Sequence, residues 1–363
     1  MLDFRLDEEQ VMLTEAIHRF AEEKMRKIFR EAEEMGQMPA DIVSGGWEMG
    51  LLQTGLPEKF DGMGEYSAVT SAVAMEEFVW GDLALTMGIM RPNLVAIPVM
   101  LCGTDEQKAE YLPMFSSESL PQVTSALTEP SIQFDPRNLK TTATKDGDNF
   151  VLNGTKMMVL NAKDSGLILV YANEGGKTQG FLVSAASDGI SVGDREKLMG
   201  VNALEGYRVV FENVTVSASA KLGGEAGCDF DLILNHSRVA LGAAAVGILR
   251  AGTEYAVEYA KQRVQFGKPV AQNQSIAFML AEMATDVDQL RMMVWEAAWE
   301  LDQGMDATRT TTVMKYHMDD LVVKTADQAL QTLGGYGYIR EYPVELWLRN
   351  ARGMATFDGL LTL

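Results

Sequence analysis

Apolar residues recur every three or four positions through the first third of the chain. In "DEEQVMLTEAIHRFAEEKM" (7–25), Val11, Leu13, Ile17 and Phe20 fall near one face, which is the period of an amphipathic helix. Asp7 stands where an N-cap belongs, just ahead of Glu8 to Gln10. "EYSAVTSAVAMEEFVW" (65–80) and "DEQKAEYLPMF" (105–115) repeat the helical period. Near Leu120 the pattern changes. "NFVLNGTKMMVLNA" (149–162), "SGLILVYANE" (165–174), "TQGFLVSAAS" (178–187), "GISVGD" (189–194) and "YRVVFENVTVSA" (207–218) are short β-rich runs set apart by Gly, Asp, Asn and Ser. After "KLGGEAGCDFD" (221–231) the helical period returns and stays. Three long stretches, 240–263, 273–304 and 310–335, are joined by short Gly-bearing turns and read as an antiparallel bundle.

The expected fold class is therefore α+β, in the order α, β, α. The expected domains are a helical one over 1–118, a β domain over 119–224 and a helical bundle over 225–363. No internal repeat is apparent. The 23 methionines fall mostly on helical faces and read as core filling.

Composition narrows the class of function. Hydrophobic residues make up 47% of the 363 and charged residues 23%, as in an ordinary globular protein. A net charge of −20 argues against nucleic acid and anionic membranes, since binding phosphate needs a basic surface. Cys102 and Cys228 form neither a disulfide framework nor a metal spacing. His18, His236 and His317 show no ligand spacing, so no metal is expected. The start "MLDFRLDEEQ" has no basic then apolar leader pattern, and the apolar runs read as too short to span a bilayer. The expected location is cytoplasmic.

Four motifs, in order and at compatible distances, resemble one family, the acyl-CoA dehydrogenases. "ALTEP" (126–130) opens that family's flavin loop, and "FENVTV" (211–216) is similar to its last β-domain strand. "YAKQRVQFGKPVAQNQ" (259–274) is similar to its Arg-x-x-Phe-Gly segment with a following Gln. "LQTLGGYGYIREYPVELWLRNAR" (330–352) is similar to its Gln-x-x-Gly-Gly-x-Gly segment. The resemblance covers nearly the whole chain. It implies a helical N-terminal domain, a central β-barrel-like domain and a C-terminal four-helix bundle, assembled as a tetramer with FAD. It implies a reaction too: a glutamate takes the α-proton of an acyl-CoA thioester while the β-hydrogen leaves as hydride to the flavin. Hydrogen bonds to the thioester carbonyl stabilise the enolate. An electron-transferring flavoprotein takes the electrons.

The departures from the family pattern carry as much information. Where the family reads Thr-Glu-Pro-Gly-Ala-Gly-Ser-Asp, this chain has Thr128-Glu129-Pro130-Ser131-Ile132-Gln133-Phe134-Asp135. A phenyl ring at Phe134 offers no donor to a pyrophosphate. The family's flavin-stacking Trp-Ile-Thr is here Met158-Val159-Leu160. Its catalytic Glu-Gly-Thr is here Asp358-Gly359-Leu360. Asp358 is a carboxylate, either a base or a solvated residue near a frayed terminus. It is one methylene short of Glu, and about 1 Å of misplacement costs on the order of 100-fold.

In the family, those altered positions act on the flavin held by their own subunit, in cis. The retained Arg263, Phe266, Gly267, Gln274, Gln331, Gly334, Gly335 and Gly337 correspond to positions that reach the neighbouring subunit's flavin, in trans. The resemblance gives Arg263 the pyrophosphate, gives the Gln and Gly positions the adenosine half, and has Phe266 pack. Read without it, the glycines permit a tight helix end and "QFG" a turn. Arg238 matches the family's helix arginine beside the acyl-CoA site, or else it braces the bundle. Asn235 lies one turn earlier on the same face.

The expectation is a subunit of an FAD-dependent acyl-CoA dehydrogenase that desaturates an acyl-CoA at α,β. The chain would supply the trans half of the flavin site to a second, catalytic acyl-CoA dehydrogenase subunit, as in family α2β2 assemblies that serve bulky acyl groups such as steroid side chains. Two alternatives stand beside it. One is a homotetrameric dehydrogenase with Asp358 as base; the other is a non-enzymatic paralogue that binds a partner or acyl-CoA.

Overall fold

The computed structural model describes residues 5–64 and 66–363. The first four residues, part of the stretch read for a leader, and Glu65, which opens one predicted helical stretch, lie outside the described residues.

The N-terminal part is a helical layer: α1 (Glu8–Phe20), α2 (Arg26–Met35), α3 (Ala40–Glu48), α4 (Leu51–Gly55), α5 (Ala68–Gly81), α6 (Leu83–Ile89), α7 (Asn93–Cys102) and α8 (Asp105–Tyr111). A π-helical turn, Ala21–Met25, joins α1 to α2. Asp7 caps α1 as predicted. Its carboxylate accepts from the Gln10 N–H at 2.8 Å, and the Gln10 side-chain oxygen accepts from the Asp7 N–H at 3.1 Å. Ile17 is fully buried and Leu13 and Phe20 pack partly. Val11 stays 40% exposed, so the buried face is narrower than the apolar pattern suggests.

The middle part is a seven-stranded mixed sheet: β1 (Val123–Ala126), β2 (Thr142–Asp146), β3 (Asn149–Leu160), β4 (Leu167–Glu174), β5 (Lys177–Ser184), β6 (Ile190–Arg195) and β7 (Gly206–Ser217). The order is β1-β4-β2-β3-β7-β6, with β5 paired antiparallel to β4. β1 and β4 are parallel, with Ser125 opposite Leu169. β3 and β7 form the long antiparallel pair, and their register shifts between Lys156 and Val159. That shift is a bulge that re-aims the side chains around Met158.

The C-terminal part is a bundle of α9 (Phe230–Gln262), α10 (Gln274–Asp302), α11 (Thr308–Leu333) and α12 (Val344–Gly353), with a two-residue hairpin of β8 (Val264–Gln265) and β9 (Lys268–Pro269) between α9 and α10. α9 is the axis of the molecule. It is long and apolar enough to cross a membrane, but 94% of its most apolar window is buried, which makes it a core helix here. Two glycines allow its neighbours close. A Cβ at Gly242 would lie 2.8 Å from the Met314 sulfur, and one at Gly247 would lie 2.6 Å from the Glu76 carbonyl oxygen. Ion pairs tie the layers together. Glu76 on α5 is buried and meets Arg250 of α9 at 2.7 Å and Arg291 of α10 at 2.9 Å. The end of α10 caps the start of α5, where Asp302 accepts from the Ala68 N–H at 2.6 Å and the Ser67 hydroxyl at 2.9 Å.

Candidate functional site

The residues expected in trans gather on one end of the bundle. Arg263 ends α9, and its N–H donates to Tyr259 O at 2.8 Å. The chain then turns back through Phe266 (φ +54°) and Gly267 (φ +79°). Such a two-residue hairpin requires left-handed backbone at both positions. Glycine does this freely, whereas a phenylalanine is strained by roughly 1–2 kcal/mol. The strained side chain is not spent on packing, because Phe266 is 98% exposed. At the far side, α11 ends at Gly334 (φ +59°, ψ −132°), a conformation reserved for glycine.

Between these two chain reversals lies an open groove of about 550 Å³, lined by Arg263, Phe266, Asn273, Gln331, Gly334 and Gly335 among others. The Arg263 guanidinium stands 5.0 Å from the Tyr336 ring, another wall of the groove, and makes no ion pair among the described residues. Gln331 is exposed. Gly267, Gln274 and Gly337 flank the groove. Gln274 is exposed at the first position of α10. Gly337 is buried, and a Cβ there would collide with the Leu330 carbonyl, so its absent side chain is a packing requirement. A cation without a counter-ion, a glycine turn presenting backbone and an exposed ring suit a diphosphate with an attached heterocycle.

The cis side is built differently. Glu129 of the "TEP" turn is buried and accepts from the Lys140 N–H (2.7 Å), the Thr141 N–H (2.8 Å) and the Lys156 ammonium (2.9 Å). Burial works to raise the Glu129 carboxyl, but Lys156 and those hydrogen bonds outweigh it and hold the group below the usual range. Burial pulls the fully enclosed Lys156 down to about 8 against the opposing pull of Glu129. Ser131 to Phe134 closes a turn, with Phe134 N–H donating to Ser131 O at 3.1 Å. Phe134 then packs against the apolar cluster between the helical layer and the sheet. Met158 (φ +54°) is 5% exposed and Leu160 1%.

Asp358 is no frayed end. Its carboxylate accepts from Arg238 Nε at 3.2 Å and from Nη2 at 3.0 Å, and Arg238 Nη1 donates to the Thr312 hydroxyl at 3.1 Å. Both predicted residues therefore sit in one cleft of about 440 Å³, together with Phe134, Arg137, Lys315 and Asp319. Lys315 donates to both carboxylate oxygens of Asp319 at 2.7 Å. Burial, with Asp358 nearby, raises Asp319 above the ordinary range despite Lys315. Asn235 faces the same helix from α9, accepting from the Thr311 hydroxyl at 2.8 Å. Lys156, Thr312, Lys315 and Asp319 escaped the sequence reading. Lys156 was readable only as one lysine inside an apolar strand, and the other three look like any polar positions of α11.

For FAD the two sides give different answers. The groove around Arg263 has the charge, the glycine backbone and the exposed ring that a diphosphate with an adenosine would need. Around the "TEP" turn and the strand before it, the buried hydroxyls of Thr124, Ser125, Thr128 and Thr141 have no partner among the described residues. The positions expected to face a flavin ring do not suit one. Met158, Leu160 and Leu360 are all buried in one apolar cluster, so a flavin ring has no face to stack on unless they move.

The chain matches three family models in succession: acyl-CoA dehydrogenase, N-terminal domain, over residues 7–119; the middle domain over 124–214; and the C-terminal domain over 231–360. It is 32% identical to an acyl-CoA dehydrogenase of Bacillus subtilis, over 97% of this chain and 94% of that one. It is 31% identical to the caffeyl-CoA reductase-Etf complex subunit CarC of Acetobacterium woodii, over 97% and 95%. Among solved structures, the butyryl-CoA dehydrogenase of Megasphaera elsdenii superposes with a TM-score of 0.89 at 29% identity, covering 99% of this chain and 96% of that one.

Proposed function

This chain belongs to the acyl-CoA dehydrogenase family of oxidoreductases, and from that premise we propose that it works as one subunit of a heteromeric, FAD-dependent acyl-CoA dehydrogenase. It supplies the trans half of a flavin site whose cis half belongs to a second, catalytic subunit. The single observation that supports this is the contrast between the two half-sites. The groove around Arg263 is open, strained outward at Phe266 and unpaired in charge among the described residues, while the expected ring-facing positions Met158, Leu160 and Leu360 are packed shut.

Each retained residue has work to do in such a complex. The Arg263 guanidinium presents a planar, permanent charge to a diphosphate. The backbone at Gly334 and Gly335 and the amide of Gln331 offer donors to the adenosine half. Phe266 reaches beyond its own surface and covers part of the group from water. The FAD, when bound, supplies the two-electron acceptor for α,β-desaturation of an acyl-CoA. The carboxylate that removes the α-proton is the partner's, because this chain's Asp358 is held at both oxygens by Arg238. The relation to the Etf complex subunit supports an electron-transferring flavoprotein as the outlet for electrons.

The test is flavin stoichiometry. The chain expressed alone should carry no FAD. Copurified from its native source, it should come with a second acyl-CoA dehydrogenase subunit and about one FAD per pair of chains. One FAD per chain in the purified homomer would reject the reading in favour of a homotetramer.

A further inference from the structure

The segment Phe357–Leu363 runs where the helical layer, the sheet and the bundle meet, and it is gripped from all three. The Ser237 hydroxyl of α9 donates to Leu361 O at 2.6 Å. The Asn93 amide of α7 donates to Thr362 O at 3.4 Å. Gly359 (φ +87°) lies so close to Leu127, just after β1, that a Cβ would collide with the leucine side chain. Leu360, Leu361 and Leu363 are each 2% exposed. They share their apolar cluster with Met158 and Leu160 of β3.

We propose that this segment is a latch that closes the chain's own ring site. The Arg238–Asp358 pair pins its beginning, and the pinned segment seats its leucines in the space a ring stacked on residues 158–160 would need. Three features converge on this. The pair is two-point, and the third hydrogen bond of Arg238, to Thr312, fixes the guanidinium on α11. Side-chain exposure at the pair is 9% for Arg238 and 15% for Asp358, so water screens it little. The next residue, Gly359, is the one that lets the backbone swing against Leu127 in a left-handed conformation. Asp358 is then a positioning residue, holding the closure, and no base. The inference rests on the proposed reading of residues 158–160 as ring-facing; bound FAD would reject both, whereas the exchange measurements fail or succeed for the latch alone.

Hydrogen exchange of the full chain, read by mass spectrometry, tests it without turnover. In the unaltered protein, amides 359–363 should be protected to nearly the same degree as the core of α9. Arg238→Met should speed their exchange by on the order of tenfold or more, leaving the sheet and the rest of α9 unchanged. Asp358→Asn keeps the shape and one acceptor and should give the same local release to a smaller degree, which serves if Arg238→Met does not fold. FAD added to the unaltered chain should not have its fluorescence quenched. Rapid exchange of 359–363 in the unaltered protein would overturn the proposal. So would unchanged exchange in both variants, or one tightly bound FAD per unaltered chain.

Discussion

Replacing Arg263 with alanine separates a ligand contact from a structural one. Among the described residues the guanidinium meets no carboxylate, and its neighbour is the Tyr336 ring at 5.0 Å. An exposed cation–π contact of that kind is worth roughly 0.5–1 kcal/mol. The groove floor is otherwise backbone and neutral side chains, so Arg263→Ala should leave the folded chain stable to within about 1 kcal/mol. If the same guanidinium faces a diphosphate across a subunit interface, its loss leaves two negative charges partly buried and undercompensated. Truncating one member of such a pair costs about 2–5 kcal/mol. That corresponds to roughly 30-fold to several-thousand-fold in affinity. The two magnitudes barely overlap, which makes the variant decisive. The assay is FAD occupancy of the complex copurified with its partner, read from the flavin absorbance per protein, alongside the urea midpoint of the chain alone. Occupancy should collapse while the midpoint holds. Full occupancy with full turnover would refute the argument and reduce "QRVQFG" to a helix–hairpin corner. A fallen midpoint with unchanged occupancy would mean the arginine stabilises the bundle end.

Lys156→Met should destabilise the chain by about 3–5 kcal/mol in urea unfolding, because it strands Glu129 in a buried site with only backbone donors. Lys156→Met combined with Glu129→Gln should recover much of that loss. Gly247→Ala should cost about 1–3 kcal/mol, since its new methyl meets the backbone carbonyl of Glu76, which cannot rotate away. Asp82, the buried cap of α6, has its carboxyl pushed up to about 7 by burial, with Glu33 adding to the rise and Arg26 and the Leu85 N–H opposing it. The folded protein therefore holds that proton more tightly than the unfolded chain. Its contribution is full below the unfolded value near 3.8 and is lost as pH rises through about 7. Asp82→Asn keeps an acceptor for Leu85 and should gain roughly 3 kcal/mol on the unaltered protein between pH 5 and pH 8. An equal gain at both pH values would show that the carboxyl is ionised throughout.

Much of the architecture was legible because it rests on local periodicity. The three long C-terminal helices begin and end within two residues of the apolar pattern, except that α9 starts at Phe230, ten residues before its Ala-rich stretch. The strands that alternate with polar punctuation formed where they were expected. β1 and β2 went unread because each is only four or five residues long and neither shows a clean alternation: β1 is buried at every position, β2 nearly exposed at every one. The candidate site was legible in its residue types and not in its pairings. The sequence offers Arg238 as a substrate contact or a brace of the bundle, and Asp358 as a base or a solvated terminal residue, with nothing to connect the two. They are 120 residues apart, and only the fold makes them partners.

That pairing changes what the substitutions mean. A lone Glu-to-Asp change could be a base with shorter reach, and a lone Phe134 could be a loop that binds its cofactor another way. Taken with the packing, they point in one direction. The hydroxyl-bearing and aromatic positions expected to face a ring in cis are here Met158, Leu160 and Leu360, and all three are buried in the same apolar core. An apolar core of that kind is stabilised by excluding both water and ligand. The groove at the end of α9 holds what a packed core would exclude: an arginine with no counter-ion among the described residues and a phenylalanine strained into solvent. Arg263 adds at most the weak contact with Tyr336, and the strain at Phe266 gains the isolated chain no packing, which is what a contact completed by a ligand or partner would leave in the free chain.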